Sequence, residues 1–71
     1  MNAFTTDDVG RRVVVRYLTG QVGPSGGPEM TDVVGHVRAV GGGTITVERR
    51  NGELATVRVA DITAWKVVPE R

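Results

Sequence analysis

Few side chains in this sequence are of the types that acid–base, metal or nucleophilic chemistry uses. His36 is the one histidine. On a strand it shares a face with Asp32, four residues earlier, and an imidazole beside a carboxylate can hold a cation at two points or relay a proton. A lone histidine on an outward register reads first as a solvated surface residue. Ser25, the one serine, lies among glycines with no histidine near it in sequence and with nothing to lower the pKa of its hydroxyl. There is no cysteine. Too few groups remain to build a nucleophile, a base and an orienting partner, so no catalytic residue, metal ligand or resident cofactor is assigned.

Two glycine clusters call for a test as phosphate cradles. Arg38-Ala39-Val40-Gly41-Gly42-Gly43 matches the R-x-x-G-x-G pattern that wraps backbone amides around a coenzyme A pyrophosphate. That pattern works when a helix begins at the glycines and points its amides at the phosphates. Here the glycines lead into Thr44-Ile45-Thr46-Val47, whose alternation and β-branching describe a strand. A hairpin turn is the expectation. The second cluster, Gly23 to Pro28, lacks the lysine and hydroxyl of a P-loop and loses amide donors to two prolines.

Binding chemistry has more to draw on. Arg49, Arg50 and Arg58 can join Arg16 or Arg38 in a strip for phosphates, the basis of a nucleic-acid-binding reading. Against it stands the scarcity of rings: one Phe, one Tyr and one Trp. Tyr17 is expected to face the core and Phe4 to seal an end, leaving Trp65 as the sole base platform. The same scarcity argues against a groove for proline-rich peptides. Nucleic acid is therefore the alternative, and solvated arginines the preferred reading. A different surface is suggested by the apolar residues Val34, Leu54 and Trp65, which a chain of this size has little reason to expose together unless a partner covers them.

The elements that must position these residues follow from composition and pattern. A chain of 71 residues has room for one core, and without cysteine that core must hold by apolar packing. The expected domain is a single barrel over 1–71, with an ordered core over 4–69. Nine basic residues, eight of them arginine, face eight acidic ones for a net charge of +1, with signs mixed along the chain. No leader pattern and no run of about 18 apolar residues is visible, so a soluble, cytoplasmic chain without membrane attachment is expected.

Thr5-Thr6-Asp7-Asp8-Val9-Gly10 reads as one capped helical turn that seals a barrel end through Phe4 and Val9. Arg12–Leu18 is strand one, with Val13, Val15 and Tyr17 on one face. Residues 19–30, rich in glycine and proline, read as a mobile exposed loop. Strand two covers Asp32–Val40, with Val33, Gly35, Val37 and Ala39 on one face and a bend at Gly35. Strand three is Thr44–Arg49. Asn51-Gly52 predicts a type I′ hairpin into strand four, Leu54–Val59. Ala60-Asp61-Ile62 predicts a 3₁₀ turn before strand five, Ala64–Val68, and Pro69 ends the pairing. The inward set is Val13, Val15, Tyr17, Val33, Val37, Ile45, Val47, Val57, Val59 and Ile62. Together these describe an all-β fold: a small five-stranded SH3-like barrel with a short N-terminal helical turn and a 3₁₀ turn before the last strand.

The stretches Asp8–Tyr17, Thr31–Gly35, Gly43–Gly52, Ala60–Ile62 and Lys66–Pro69 resemble the small SH3-like domain that precedes the catalytic domain in a group of actinobacterial GNAT-family acetyltransferases. The likeness runs from Thr6 to Pro69, and its motifs, turn glycines and alternating valines, specify a barrel more firmly than a partner. The resemblance implies a non-catalytic accessory or protein–protein interaction domain. Its partner would be an acetyltransferase catalytic domain, in cis or in trans, and any acetyl-CoA site would belong there, beyond Arg71. Two departures, the segment Gly20–Pro28 and Trp65, are candidate contact surfaces. Self-association through an unpaired edge strand is a further expectation.

Overall fold

A computed structural model describes residues 4–69; Met1–Ala3 and Glu70–Arg71, the ends of the expected 1–71 domain, lie outside the described residues. The strands are β1 (Arg12–Val22), β2 (Pro28–Gly41), β3 (Thr44–Arg49), β4 (Leu54–Arg58) and β5 (Ile62–Val67), with 3₁₀ turns at Thr6–Asp8 and Val59–Asp61. All pairings are antiparallel, in the spatial order β4-β3-β2-β1-β5. This is the all-β arrangement of a small SH3-like barrel. Among the described residues no helix is long and apolar enough to cross a membrane.

The first turn is capped reciprocally. The Asp7 N–H donates to Thr5 Oγ1 at 3.3 Å, and the Thr5 N–H donates to Asp8 Oδ2 at 2.9 Å. Gly10, at φ 93°, ends the turn; its N–H donates to the Val37 carbonyl at 2.7 Å and the Val37 N–H returns to Arg11 at 3.0 Å. The turn is thereby stitched to β2. Phe4 is buried, as its sealing role requires, whereas Val9 is 44% exposed. The chain leaves the turn extended at Val9 (φ −61°, ψ 130°), which carries that side chain away from the core.

Phe4, Val13, Val15, Val33, Val37, Ile45, Val47, Val57 and Ile62 form the buried cluster. Period-two alternation puts alternate residues on one face, and the inner faces meet through branched side chains, valine above all. Tyr17 and Val59, also expected inside, are only half-buried against this cluster. Each sits where ladder pairing stops: Tyr17 is the last β1 residue paired with β5, and Val59 opens the second 3₁₀ turn.

β2 departs from the expected geometry in an informative way. Its bulge lies at Arg38, three residues beyond Gly35: Val37 pairs with Val47, but Ala39 pairs with Thr46. One extra residue exchanges the faces beyond it. Ala39 is exposed and Val40 packs on the core, the reverse of simple alternation. Gly35 stays in the regular ladder between Val13 and Arg49. Its role is close approach: a Cβ there would be driven into the Glu48 carbonyl, 2.8 Å from the carbon, and within 2.9 Å of Val47 Cγ1.

The loop expected over 19–30 is mostly paired strand. Thr19–Val22 extend β1 and Pro28–Met30 open β2. Thr19 Oγ1 donates to Glu29 Oε1 at 2.7 Å and accepts from the Gln21 N–H at 3.2 Å. Only Gly23–Gly27 forms the tip, where the Gly26 N–H donates to Gly23 at 3.0 Å and the Gly23 N–H donates to Gly27 at 2.7 Å. Glycine and proline here are turn residues rather than a sign of unpaired chain: Pro24 holds the second turn position and Gly26 takes φ 88°.

The β3–β4 connection repeats that bond pattern, with the Gly52 N–H donating to Arg49 at 2.9 Å and the Arg49 N–H donating to Glu53 at 2.7 Å. Gly52 has φ 90° but Asn51 does not have a positive φ, so the turn is of the type I kind closed by a glycine bulge, in place of the expected type I′. Asn51 contributes through its side chain, accepting the Glu53 N–H at 3.0 Å. The two-residue turn with both φ positive lies at Gly42–Gly43 (63° and 79°), between the paired Gly41 and Thr44.

Because β2 is paired on both sides at Gly35, the neighbouring backbone has no room to retreat. Gly35→Ala is expected to cost about 3 kcal/mol, as overpacking at the upper end does. Thermal unfolding of the variant should show a midpoint lower by roughly 10–20 °C.

Candidate interaction surface

Strand register decides which outward side chains meet. Lys66, Val14 and Val34 lie in one row across β5, β1 and β2, and Ala64, Arg16 and Asp32 lie in the adjacent row. A third row, Arg12, His36, Glu48 and Leu54, crosses β1 to β4. The outer face is thus mixed, with Val34 43% and Leu54 65% exposed.

Carboxylates claim Arg11, Arg16, Arg38 and Arg58. Arg16 engages Asp32 through both arms of its fork, Nε to Oδ1 at 3.0 Å and NH2 to Oδ2 at 3.4 Å. That hydrogen bond, and then the Asp32 charge, raise the Arg16 guanidinium above its ordinary pKa. Arg38, exposed at the bulge, meets Glu48 at 2.6 Å. Arg58 lies 3.6 Å from Asp61 and Arg11 lies 3.9 Å from Asp8. Arg12 donates to the Pro69 carbonyl at 2.8 Å.

The arginine strip considered from the sequence therefore does not assemble. Arg16, Arg38 and Arg58 are held in ion pairs within the fold. Arg49 and Arg50 sit at the β3–β4 turn, and Arg58 at the opposite end of β4. The rings that would stack bases are committed elsewhere: Tyr17 packs against the core and Phe4 is buried in it.

Val34, Leu54 and Trp65 are likewise not brought together. Val34 and Leu54 share the outer face, in different rows. Trp65 pairs with Val15, on the inward register, and is half-buried with its ring stacked on Phe4 at a centroid distance of 3.9 Å and an angle of 28°. Phe4 covers part of that ring, so Trp65 acts as part of the core closure while its remaining surface lines a groove.

The other chemistry-bearing residues are dispersed. Asp32 is occupied by Arg16, while His36 stands between Arg12 and Glu48 in the register. No group of three or more His, Cys, Asp or Glu residues able to hold a metal occurs among the described residues. Ser25 is at the exposed tip of the β1–β2 hairpin. Gly42 and Gly43 form the hairpin turn into β3, as expected, with no helix to direct amides at a phosphate.

Two shallow grooves mark the outer face. One, of about 340 Å³, is lined by Val14, Arg16, Asp32, Ala64, Trp65 and Lys66. The other, also about 340 Å³, is lined by Asp32, Val33, Val34, Arg49, Arg50 and Asn51. Val14 and Lys66 were not among the candidates drawn from the sequence. Val14 is outward by parity, but only the β1–β5 register places a lysine beside it.

Truncation should separate the two kinds of apolar residue. Phe4→Ala and Trp65→Ala are each expected to cost about 3 kcal/mol, as loss of a packed ring does. Val34→Ser and Leu54→Ser should change stability by no more than about 0.5 kcal/mol. Urea unfolding followed by circular dichroism measures all four.

Comparison with known proteins agrees with the barrel. No curated protein and no solved structure matches the chain. The family model described as the Rv0428c N-terminal Sm-like domain matches residues 7–66, from the first 3₁₀ turn through β5. An all-β, five-stranded chain matched over nearly its whole length in this way belongs to the Rv0428c N-terminal Sm-like domain family.

Proposed function

We propose that this domain is a non-catalytic accessory module, the N-terminal part of a GNAT-family acetyltransferase, and that it binds its catalytic partner through the outer face of the sheet. The observation that carries the reading is the division of labour among side chains. Groups able to do chemistry are scattered or tied into ion pairs, while Val14, Val34 and Leu54 face outward on one contiguous sheet. The family's description as an N-terminal domain supports attachment to a following domain, and the resemblance of Asp8–Tyr17 and Gly43–Gly52 to GNAT-associated barrels supplies the kind of domain. On this reading acetyl-CoA is held wholly by the catalytic domain, in the cytoplasm. The barrel contributes positioning. The phosphate-binding alternative is disfavoured because three of its five arginines already have carboxylate partners.

The direct test is the intact mass of the native polypeptide, captured from source-cell lysate with an antiserum against this domain. A chain far heavier than 7.6 kDa, whose remaining sequence folds as an acetyltransferase, is expected. A mass near 7.6 kDa overturns the covalent attachment.

A further inference from the structure

The chain's net charge of +1 conceals a local concentration of unmatched cations. Once Arg11, Arg16, Arg38 and Arg58 are paired with carboxylates and Arg12 with a carbonyl, Arg49, Arg50 and Lys66 are left without an ion-pair partner among the described residues. These three are not scattered. Lys66 flanks Val14 in the first groove, and Arg49 and Arg50 flank Val34 in the second. Val14 and Val34 are cross-strand partners, so the two grooves meet at an apolar centre. Asp32, which borders both, is neutralised by the Arg16 fork.

From this arrangement we infer that the outer face binds an extended acidic peptide segment, with an apolar side chain over Val14 and Val34 and a carboxylate at each end, on Lys66 and on Arg49–Arg50. The inference deepens the accessory-module reading, on which it rests, by naming the chemistry of the partner surface. Spacing supports it. Lys66 on β5 and Arg50 just beyond β3 are three interstrand steps apart, roughly 14 Å at ~4.8 Å per step. In an extended peptide, residues i, i+2 and i+4 point the same way and span about 13–14 Å. The matching pattern is therefore acidic-x-apolar-x-acidic. A nucleic-acid strand suits the face less well. Its floor is aliphatic, the Trp65 ring is stacked on Phe4, and Asp32 borders both grooves.

The experiment is a fluorescence anisotropy titration of the 71-residue chain with a labelled, end-blocked peptide Glu-Thr-Val-Thr-Glu, beside its Gln-Thr-Val-Thr-Gln counterpart and a single-stranded oligonucleotide. Saturable binding of the acidic peptide is expected, weakened by added salt. Lys66→Glu and Arg50→Glu should each weaken it about fivefold or more, the scale of one surface charge contact. Arg58→Glu, at the far end of β4, should leave it unchanged, and circular dichroism checks that each variant keeps its sheet. No saturable binding, equal binding of the glutamine peptide, indifference to Lys66→Glu and Arg50→Glu, or tighter binding of the oligonucleotide each overturns the inference. None of these outcomes alters the mass of the native polypeptide, so the attachment to a catalytic domain stands or falls separately.

Discussion

The barrel depends on the passage of β2 past the Glu48 carbonyl at Gly35. β2 is the strand shared by both halves of the sheet, pairing with β1 from Pro28 to His36 and with β3 from Gly35 to Gly41. At Gly35 it is paired on both sides while the space a Cβ needs is filled by the backbone of its own neighbour. A missing side chain here lets two strands approach closely enough for the inner faces to meet. The bulge at Arg38 then turns the end of the strand, so that Val37 and Val40 both reach the core and Arg38 is delivered to Glu48 outside. Core closure and surface charge pairing are thus consequences of the same stretch of chain.

That coupling shapes what the surface can do. A small barrel built almost wholly from valine and isoleucine has few large rings to spare, and the pair it does place together, Phe4 and Trp65, closes the core. Recognition is left to aliphatic side chains and to charges. Cross-strand ion pairs hold Arg16 against Asp32 and Arg38 against Glu48, which adds little to stability at such exposed positions but matches those charges within the fold. What remains available is set by which cations lack an acidic neighbour, a property of register rather than of composition. The family shown by the match is one of small Sm-like domains, and nothing in that fold requires chemistry of its own.

Much of the fold was legible in the residues themselves. Alternation of branched residues located all five strands and all eight buried valines and isoleucines, because side-chain period is a local property of the backbone. The capped turn at Thr5–Asp8 and the hairpins at Gly42–Gly43 and Asn51–Gly52 were visible for the same reason. Misreadings arose where local residue type has two structural uses. Glycine and proline over residues 19–30 looked like unpaired chain and are instead a bulge and a tight turn within a paired ribbon. Gly35 looked like a bend and is a point of close approach.

The sequence by itself determined which segments form strands, the turns at Gly42–Gly43 and Asn51–Gly52 and, up to the β2 bulge, the parity of residues along each strand, since these follow from steric preferences acting over a few residues. Only the tertiary structure decided which strands are neighbours and in what register. Trp65 meets Phe4 across most of the chain, Arg16 finds Asp32, and Val14 stands between Lys66 and Val34. Parity fixes the face a side chain takes but carries no information about its neighbour on that face. That neighbour is set by non-local pairing, which forms only when the whole sheet closes.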